Sequence, residues 1–364
     1  MTIHRWQLVP VATPASLRIA VCMAASIAAG LALGGLVFLL MGIPPVTAML
    51  KMATGSFGSW YGFKETVTKA VPLTLIGAGL ALCFRARVWN IGAEGQLLFG
   101  AVAATCVGLH LGPTLAGWPG IVLMFAAGAV AGGAWAAVPA LMRIRWGVNE
   151  AVSSLLLNYV AAEFVQYLIY GPLKGKTQFG FPYSDDLPNA LWLPTFYGSR
   201  LSWFPLVLAA AAVVVLTLIS SRTRFGYDVR VVGENPAAAA YAGIPFGRTI
   251  LSLMVLSGIL AGIAGSSEIA GLHHHLTYPW SISSGYGFTA ILTAFLARLH
   301  PGWTWLSALL FGGLLVGGDI IQTSLGLPFA TVNIFNGLVL VAILAGEYLI
   351  SHRLVRRSAE GGPR

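Results

Sequence analysis

The chain has 364 residues, of which 57% are hydrophobic and only 9% are charged. A soluble domain carries roughly 25% charged residues, so this composition excludes a soluble protein and predicts an integral membrane protein. The net charge of the chain is +9. In a membrane protein, an excess of arginine and lysine mostly marks the cytoplasmic loops, so we expect membrane lipid as a partner and no nucleic acid. The three cysteines lie in apolar runs and are interpreted as core residues.

Ten apolar runs are long enough, or nearly so, to cross a bilayer. They lie at about 18–41, 70–84, 92–111, 119–142, 150–170, 203–220, 250–271, 284–299, 303–324 and 333–351. We therefore predict an all-α fold, a polytopic transmembrane helix bundle of about ten spans, of which the second is the shortest. The predicted organisation is an N-terminal tail at 1–17, a transmembrane domain at 18–351 and a basic tail at 352–364.

The distribution of positive charge predicts the orientation. Ten spans would place both termini on one side, where the loops would hold fifteen arginines, whereas the opposite loops would hold six lysines or arginines. Positive residues concentrate in cytoplasmic loops, so both termini are predicted to be cytoplasmic. The largest loop on that face is 221–249.

The sequence FRARVWNIGAEGQLLFGA, at 84–101, separates two apolar runs with polar residues. Asn90, Glu94 and Gln96 lie where a helix start would offer free N–H groups. An interruption at membrane depth lines a cavity or is packed in protein. One interpretation is a break that lines or gates a transport pathway. The other is a loop at the cytoplasmic surface, with Asn90 capping the helix and Glu94 in its first turn.

A second polar stretch, WGVNEAVSSLLLNYVAAEF at 146–164, opens the fifth run. Asn149 and Glu150 mark a helix start, and Asn158 lies deeper in the run; all three are candidates for the pathway. Other carboxylates in or near the spans would contact a solute or hydrogen-bond neighbouring helices. They are Glu163, Glu268, Asp319 and Glu347.

The loop 221–249 contains VVGENPAAAAYAGIPFGR, which predicts a short capped helix. Asn235 can cap its N-terminus, Pro236 suits its first position and Gly243 suits a left-handed end. A helix of about seven residues is not stable alone in water, so it either docks into a groove on another protein or lies on its own bundle. We favour docking. The residues assigned to this contact are Gly233, Glu234, Asn235, Pro236, Ala238, Ala239 and Gly243.

Three consecutive histidines, His273 to His275, end the seventh run. Consecutive side chains diverge on a helix or a strand, so we expect no metal site here and prefer a solvated or pH-sensitive turn. No Ser-His-Asp, His-Glu-x-x-His or paired-cysteine pattern is evident in the sequence. We therefore expect neither enzyme activity nor a cofactor in this chain.

Three stretches, in this order, resemble the permease subunits of bacterial ABC-type importers. They are FRARVWNIGAEGQLLFGA, GVNEAVSSLLLNYVA and VGENPAAAAYAGI. The resemblance extends from about residue 65 to the tenth run. The group contains permeases for branched-chain amino acids, simple sugars and nucleosides, and the NIGAEGQ form is most similar to the nucleoside members.

The resemblance implies a subunit of the bacterial inner membrane that forms the pathway for a nucleoside or a similar small polar solute. A simple sugar is the alternative within the group, and an ion-coupled secondary transporter is the alternative from another class. The implied partners are a cytoplasmic ATP-binding subunit, a second homologous permease and an external substrate-binding protein or lipoprotein. The helix at 235–243 would then couple this subunit to the ATPase.

Overall fold

A computed structural model of the chain describes residues 5–10, 16–112, 114–176 and 179–357. The helices and strands in these ranges are β1 (Arg5–Pro10), α1 (Ser16–Leu40), α2 (Pro45–Phe57), α3 (Trp60–Arg85), α4 (Ala93–Leu111), α5 (Trp118–Trp146), α6 (Glu150–Tyr170), α7 (Trp203–Arg222), α8 (Arg224–Glu234), α9 (Pro236–Tyr241), α10 (Phe246–Glu268), α11 (Pro279–Ser283), α12 (Tyr286–Leu296), α13 (Thr304–Leu325), α14 (Phe329–Ser351) and β2 (His352–Arg357). A π-helical turn, Ile269–His273, extends α10.

The predicted polytopic helix bundle is confirmed. Within the described ranges, eight helices are long and apolar enough to cross a membrane, and α14 contains a shorter apolar stretch at 334–350. The prediction of a short second span was wrong, because α3 has 26 residues. Polar residues in the first turns of α3 made the start of this helix hard to recognise from hydrophobicity. In the structure they are paired: Lys64 Nζ donates to the carbonyl of Tyr197, and Glu65 forms an ion pair with Arg200.

The predicted eighth span, 284–299, contains a helix that is shorter than expected. Ser284 and Gly285 have positive φ angles of 45° and 73°, and they separate α11 from α12. The 11 residues of α12 extend about 16 Å at 1.5 Å per residue, about half the thickness of a bilayer core. Tyr286 and Gly287, at the start of α12, are buried, so the first N–H groups of this helix need partners from elsewhere in the chain.

The chain divides into two compact units, of which the larger comprises residues 56–316. Its centre is formed by α4, α5 and α10, which approach closely at glycines. A methyl group at Gly132 of α5 would overlap the carbonyl oxygen of Gly258 in α10, and one at Gly262 would overlap the carbonyl oxygen of Gly128. Small residues at these positions allow the backbone contact that stabilises helix association in lipid.

The smaller unit comprises residues 1–55 and 317–364. In it α1 lies along α14, with the rings of Phe38 and Phe335 stacked at 4.9 Å between centroids. The segments predicted as tails pair with each other, since β1 and β2 form an antiparallel ladder. The described ends of the chain therefore lie side by side. Residues 1–4, 11–15 and 358–364 of the tails lie outside the described residues.

Candidate functional site

The break between α3 and α4, residues 86–92, is partly buried. Arg87 and Trp89 are exposed, whereas Asn90 is 0% exposed. Asn90 Nδ2 donates to Gln96 Oε1 at 3.1 Å, Gln96 Nε2 donates to Asn90 Oδ1 at 2.9 Å, and Asn90 Nδ2 also donates to Ser257 Oγ of α10. The interpretation as a surface loop was therefore wrong for Asn90, because its amide needs and finds partners in the interior.

Asn90 does not cap α4 as one interpretation predicted. Gly92 occupies the N-cap position, and Asn90 Oδ1 accepts a hydrogen bond from the N–H of Gly92 at 3.1 Å, within the break. The prediction that Glu94 lies in the first turn of the helix is confirmed.

One face of α6 binds the backbone of the break. Glu150, Ser154 and Asn158 are spaced by four residues, so they lie on the same side of a helix. Glu150 Oε1 accepts from the N–H of Trp89 at 3.1 Å, and Ser154 Oγ accepts from the N–H of Ile91 at 3.1 Å. Asn158 Nδ2 donates to the carbonyl of Ile91 at 2.8 Å. These side chains pair backbone groups that have no helical partners in the break.

Asn158 also reaches the beginning of α4, where its Oδ1 accepts from the N–H of Gly95 at 2.9 Å. Asn149, by contrast, is an exposed N-cap whose Oδ1 accepts from the N–H of Ala151 at 2.9 Å within its own helix. The fold thus brings five of the six pathway candidates together at the break. They are Asn90, Glu94, Gln96, Glu150 and Asn158.

Glu94 connects the start of α4 to the start of α12. Its Oε2 accepts from the N–H of Gly287, the second residue of α12, at 2.7 Å. A carboxylate at a helix N-terminus satisfies a free N–H and interacts favourably with the helix dipole. The half-length helix is therefore held against the break. The sequence did not reveal this partner, because 193 residues separate the two groups.

Glu150 connects the break to the beginning of α10. Its carboxylate forms an ion pair with Arg143 near the end of α5. The guanidinium of Arg143 lies over the ring of Phe246, the first residue of α10, with Cζ at 5.4 Å from the ring centroid. A continuous set of contacts therefore runs from the first turn of α10 to the N–H of Trp89.

The predicted short helix is α9, and its local structure is confirmed. Asn235 is the N-cap, with Oδ1 accepting from the N–H of Ala238 at 3.0 Å, and Pro236 is the first helical residue. Gly243 has a φ of 73°, in the left-handed region. Sequence reasoning missed α8, which directly precedes α9. Its alternation of apolar and polar residues at helical spacing was the available signal.

The residues assigned to docking lie on two faces. Ala239 is 1% exposed, and a methyl group at the buried Gly233 would overlap the carbonyl oxygen of Arg85 at the end of α3. Gly233 therefore packs α8 against the end of α3, and Ala239 of α9 is buried within the chain. The exposed face is formed by Glu234, Asn235, Pro236, Ala238 and Gly243, together with Tyr241, which is 97% exposed.

Two of the three histidines, His274 and His275, contact separate partners in the long segment that precedes α7. The ring of His274 stacks on that of Trp192 at 3.9 Å between centroids, and His275 Nδ1 lies 3.1 Å from Asp186 Oδ1. Burial is the largest cause of a lowered pKa for His274; the neighbouring His275 lowers it further, whereas Asp186 opposes the shift.

The other intramembrane carboxylates differ in their surroundings. Glu163 is exposed on α6 and accepts a hydrogen bond from Gln166 at 3.1 Å, and Asp319 is exposed on α13. Glu268 is buried at the end of α10. The side chain of Glu347 lies outside the described residues.

Comparison with known proteins identifies the family. Residues 62–344 match the family described as the permease component of the branched-chain amino acid transport system. The chain is 37% identical over 340 residues to the glucose ABC transporter permease protein of Haloferax volcanii, covering 90% of this chain and 88% of that relative.

Two further relatives match over similar lengths. The guanosine ABC transporter permease protein of Bacillus subtilis is 31% identical over 332 residues, 88% of this chain and 91% of the relative. The nucleoside ABC transporter permease protein of Lactococcus lactis is 26% identical over 337 residues, 91% of this chain and 92% of the relative. With its apolar helices and these matches, the chain is a multi-pass inner-membrane protein that belongs to the family of branched-chain amino acid transport system permease components.

Proposed function

We propose that this chain is the permease subunit of an ATP-driven importer and forms the pathway for a nucleoside. Family membership supports the permease role. The similarity to guanosine and nucleoside permeases from two organisms supports the solute class. ATP is hydrolysed on a separate subunit, so this chain is not itself an enzyme.

The observation that carries the coupling mechanism is the exposed face of α9 together with its two connections to the break. On the N-terminal side, Gly233 contacts the carbonyl of Arg85, which directly precedes the break. On the C-terminal side, Phe246 contacts Arg143, whose partner Glu150 binds the backbone of the break. A displacement of α9 therefore reaches the break from both ends.

The break is suited to respond to such a displacement. Residues 86–92 have no continuous helical hydrogen bonding, so their arrangement depends on side chains from α6 and α10. A motor subunit that binds α9 and moves during ATP hydrolysis shifts these side chains relative to one another. The half-length helix α12 follows, because Glu94 holds its N-terminus.

The proposed partners follow from the family and from the exposed face of α9. Family membership implies an ATP-binding subunit and a substrate-binding protein in general. We assign the ATP-binding subunit to the exposed face of α9, and we include a second permease subunit and an external binding protein or lipoprotein in the assembly.

A simple sugar is the second candidate solute. The identity of 37% to the glucose permease of Haloferax volcanii exceeds the 31% to the guanosine permease of Bacillus subtilis. Nucleosides and hexoses share a ring with several hydroxyl groups, so a pathway for either solute needs hydrogen-bonding groups for hydroxyls.

Uptake into proteoliposomes tests the proposal. The chain is reconstituted with its ATP-binding subunit, second permease and binding protein, and accumulation of guanosine and of glucose is measured with ATP and with a non-hydrolysable analogue. We expect accumulation of guanosine only when ATP is hydrolysed. Accumulation by this chain alone, driven by an ion gradient, would instead show a secondary transporter.

Two substitutions at one position test the role of α9. Ala238→Trp adds bulk to the exposed face and is expected to abolish both ATPase binding and uptake, whereas Ala238→Ser is expected to preserve both. Glu234→Gln is likewise expected to reduce uptake without loss of membrane insertion. Normal uptake by the Ala238→Trp protein would remove α9 from the coupling mechanism.

A further inference from the structure

A small cavity in the larger unit lies apart from the break. It has a volume of about 20 Å³, enough for about one water molecule or one hydroxyl group. Residues of α3, α10 and the segment before α7 line it. The polar ones are Thr68, Arg200, Ser202, Ser267 and Glu268. We call it the Glu268 cavity.

The cavity lies where the segment before α7 meets the ends of two helices. Ser202 directly precedes the start of α7 at Trp203, and Glu268 is the last residue of α10. By the predicted orientation, these helix ends face the external side, so the cavity is reached from there.

Two helices are irregular where they border the cavity. Pro72 has no N–H, so the carbonyl of Thr68, four residues earlier, lacks its helical donor. On the opposite side, α10 continues into the π-helical turn Ile269–His273, and Gly271 of this turn lines the cavity. π-Helical turns occur frequently at functional sites.

Among the polar residues of the cavity, Thr68, Arg200 and Ser267 have hydrogen-bond partners in the protein, whereas the Ser202 hydroxyl has none among the described residues. Ser202 is 6% exposed, and its Oγ is buried without a hydrogen-bond partner. Glu268 is 5% exposed, and His273 Nε2, at 3.9 Å from its Oε2, is beyond hydrogen-bond distance. Buried polar groups are ordinarily paired, so a hydroxyl donor and a carboxylate acceptor left open toward one cavity indicate a ligand.

The charges around the cavity favour a neutral ligand. Arg200 and Glu268 both line the cavity, so it presents a basic and an acidic side chain together. A bound cation would be repelled by Arg200, and a bound anion by Glu268. A hydroxyl group both donates to a carboxylate and accepts from a serine hydroxyl, so it satisfies both open groups without added charge.

We propose that Glu268 and Ser202 bind a ring hydroxyl of the solute as it passes through the permease. This inference rests on the proposed function and adds to it a recognition site for the sugar ring that nucleosides and hexoses share. Glu268 accepts the hydrogen bond of the hydroxyl, and Ser202 donates to its oxygen. The cavity volume of about 20 Å³ is enough for this hydroxyl.

Discrimination between two solutes in the reconstituted complex tests the proposal. Uptake of guanosine is compared with that of dideoxyguanosine, which lacks two ribose hydroxyls, each at saturating binding protein. Glu268→Gln is expected to lower guanosine uptake about tenfold, as expected for weakening one hydrogen bond to a charged acceptor, and to change dideoxyguanosine uptake less than about twofold. Glu163→Gln, the control carboxylate on exposed α6, is expected to change neither rate.

A parallel fall in the uptake of both solutes would overturn the proposal, because it would indicate a general defect. Unchanged uptake of guanosine by the Glu268→Gln variant would overturn it as well.

Absence of guanosine uptake by the unmodified complex would count against the proposed solute and not against the cavity. In that case, the rate of alkylation of a Ser202→Cys variant tests whether the cavity binds a hydroxyl group. The unmodified chain gives the background rate. D-Ribose is expected to slow the reaction more than 2-deoxy-D-ribose does. Equal rates with and without both sugars would show that the cavity holds only water.

Discussion

The break at residues 86–92 and the Glu268 cavity are both polar and buried, but they differ in how their polar groups are paired. At the break, Asn90, Glu150 and Asn158 have partners in the protein, and the one open group among the five residues there is Oε1 of Glu94, whose Oε2 is paired. At the cavity, the hydroxyl of Ser202 has none. A paired network stabilises one arrangement of the chain, whereas unpaired groups lower stability and are explained by a ligand that pairs them.

The comparison also separates two tasks of a permease. The break receives contacts from α6, α10 and, through Gly233, from the α8–α9 region, so it is suited to conformational coupling. The cavity lies on a different part of α10 and is suited to contact with the solute. Substitutions at the break should therefore change stability or coupling, and substitutions at the cavity should change selectivity.

The largest effect on stability is expected for Asn158→Leu. This change leaves the carbonyl of Ile91 and the N–H of Gly95 without partners in the interior. At roughly 1–3 kcal/mol for each unpaired buried group, the free energy of unfolding should fall by about 3 kcal/mol. Denaturant titration in detergent measures it. Glu163→Gln, on an exposed position of the same helix, should stay within about 0.5 kcal/mol; an equal loss in both variants would contradict the role of the network.

Glu150→Gln is expected to have the next largest effect, and on coupling. It removes the ion pair with Arg143 while keeping an oxygen for the N–H of Trp89. Solute transported per ATP hydrolysed should fall about tenfold, within the range of typical coupling free energies. Arg145→Gln, at an exposed position near the end of α5, is the control and should behave as the unmodified protein. Equal losses of ATPase activity and transport would indicate damage to assembly instead.

A pair of serine substitutions tests the comparison directly. Ser202→Ala removes a buried hydroxyl that has no partner, so stability should be unchanged or rise by up to about 1 kcal/mol. Ser154→Ala removes the acceptor of the Ile91 N–H, so stability should fall by about 1–2 kcal/mol. Thermal unfolding of both variants in the same detergent measures the difference. Equal losses would show that the two regions are paired alike.

The smallest effect is expected from pH at His274. Its pKa is lowered in the folded chain, so the unfolded chain binds the proton more readily, and stability should fall as pH drops through the ordinary histidine value of about 6.5. The unfolding midpoint, recorded between about pH 8 and pH 5, measures this slope. His274→Asn, which tolerates the φ of 59°, should make the slope shallower. An unchanged slope would assign the pH dependence to other groups.

Local features were predictable because they depend on neighbours in the sequence. The apolar runs predicted most of the helices, and Asn149, Asn235 and Gly243 take the capping positions expected of them. Two spans were misjudged for identifiable reasons. Paired charges hid the beginning of α3, and the serine- and glycine-rich stretch around Ser284 was a turn signal that the sequence prediction did not use.

The sequence by itself determined the fold class, the position of the break and the short helix α9, because hydrophobicity and capping act within a few residues. Only the tertiary structure decided that Glu94 holds α12, that Asn158 binds the break and that Ala239 faces inward. It also brought Ser202 and Glu268 to one cavity. These pairings join residues that are far apart in the chain, and they depend on how helices pack, which glycine contacts and interhelical hydrogen bonds select.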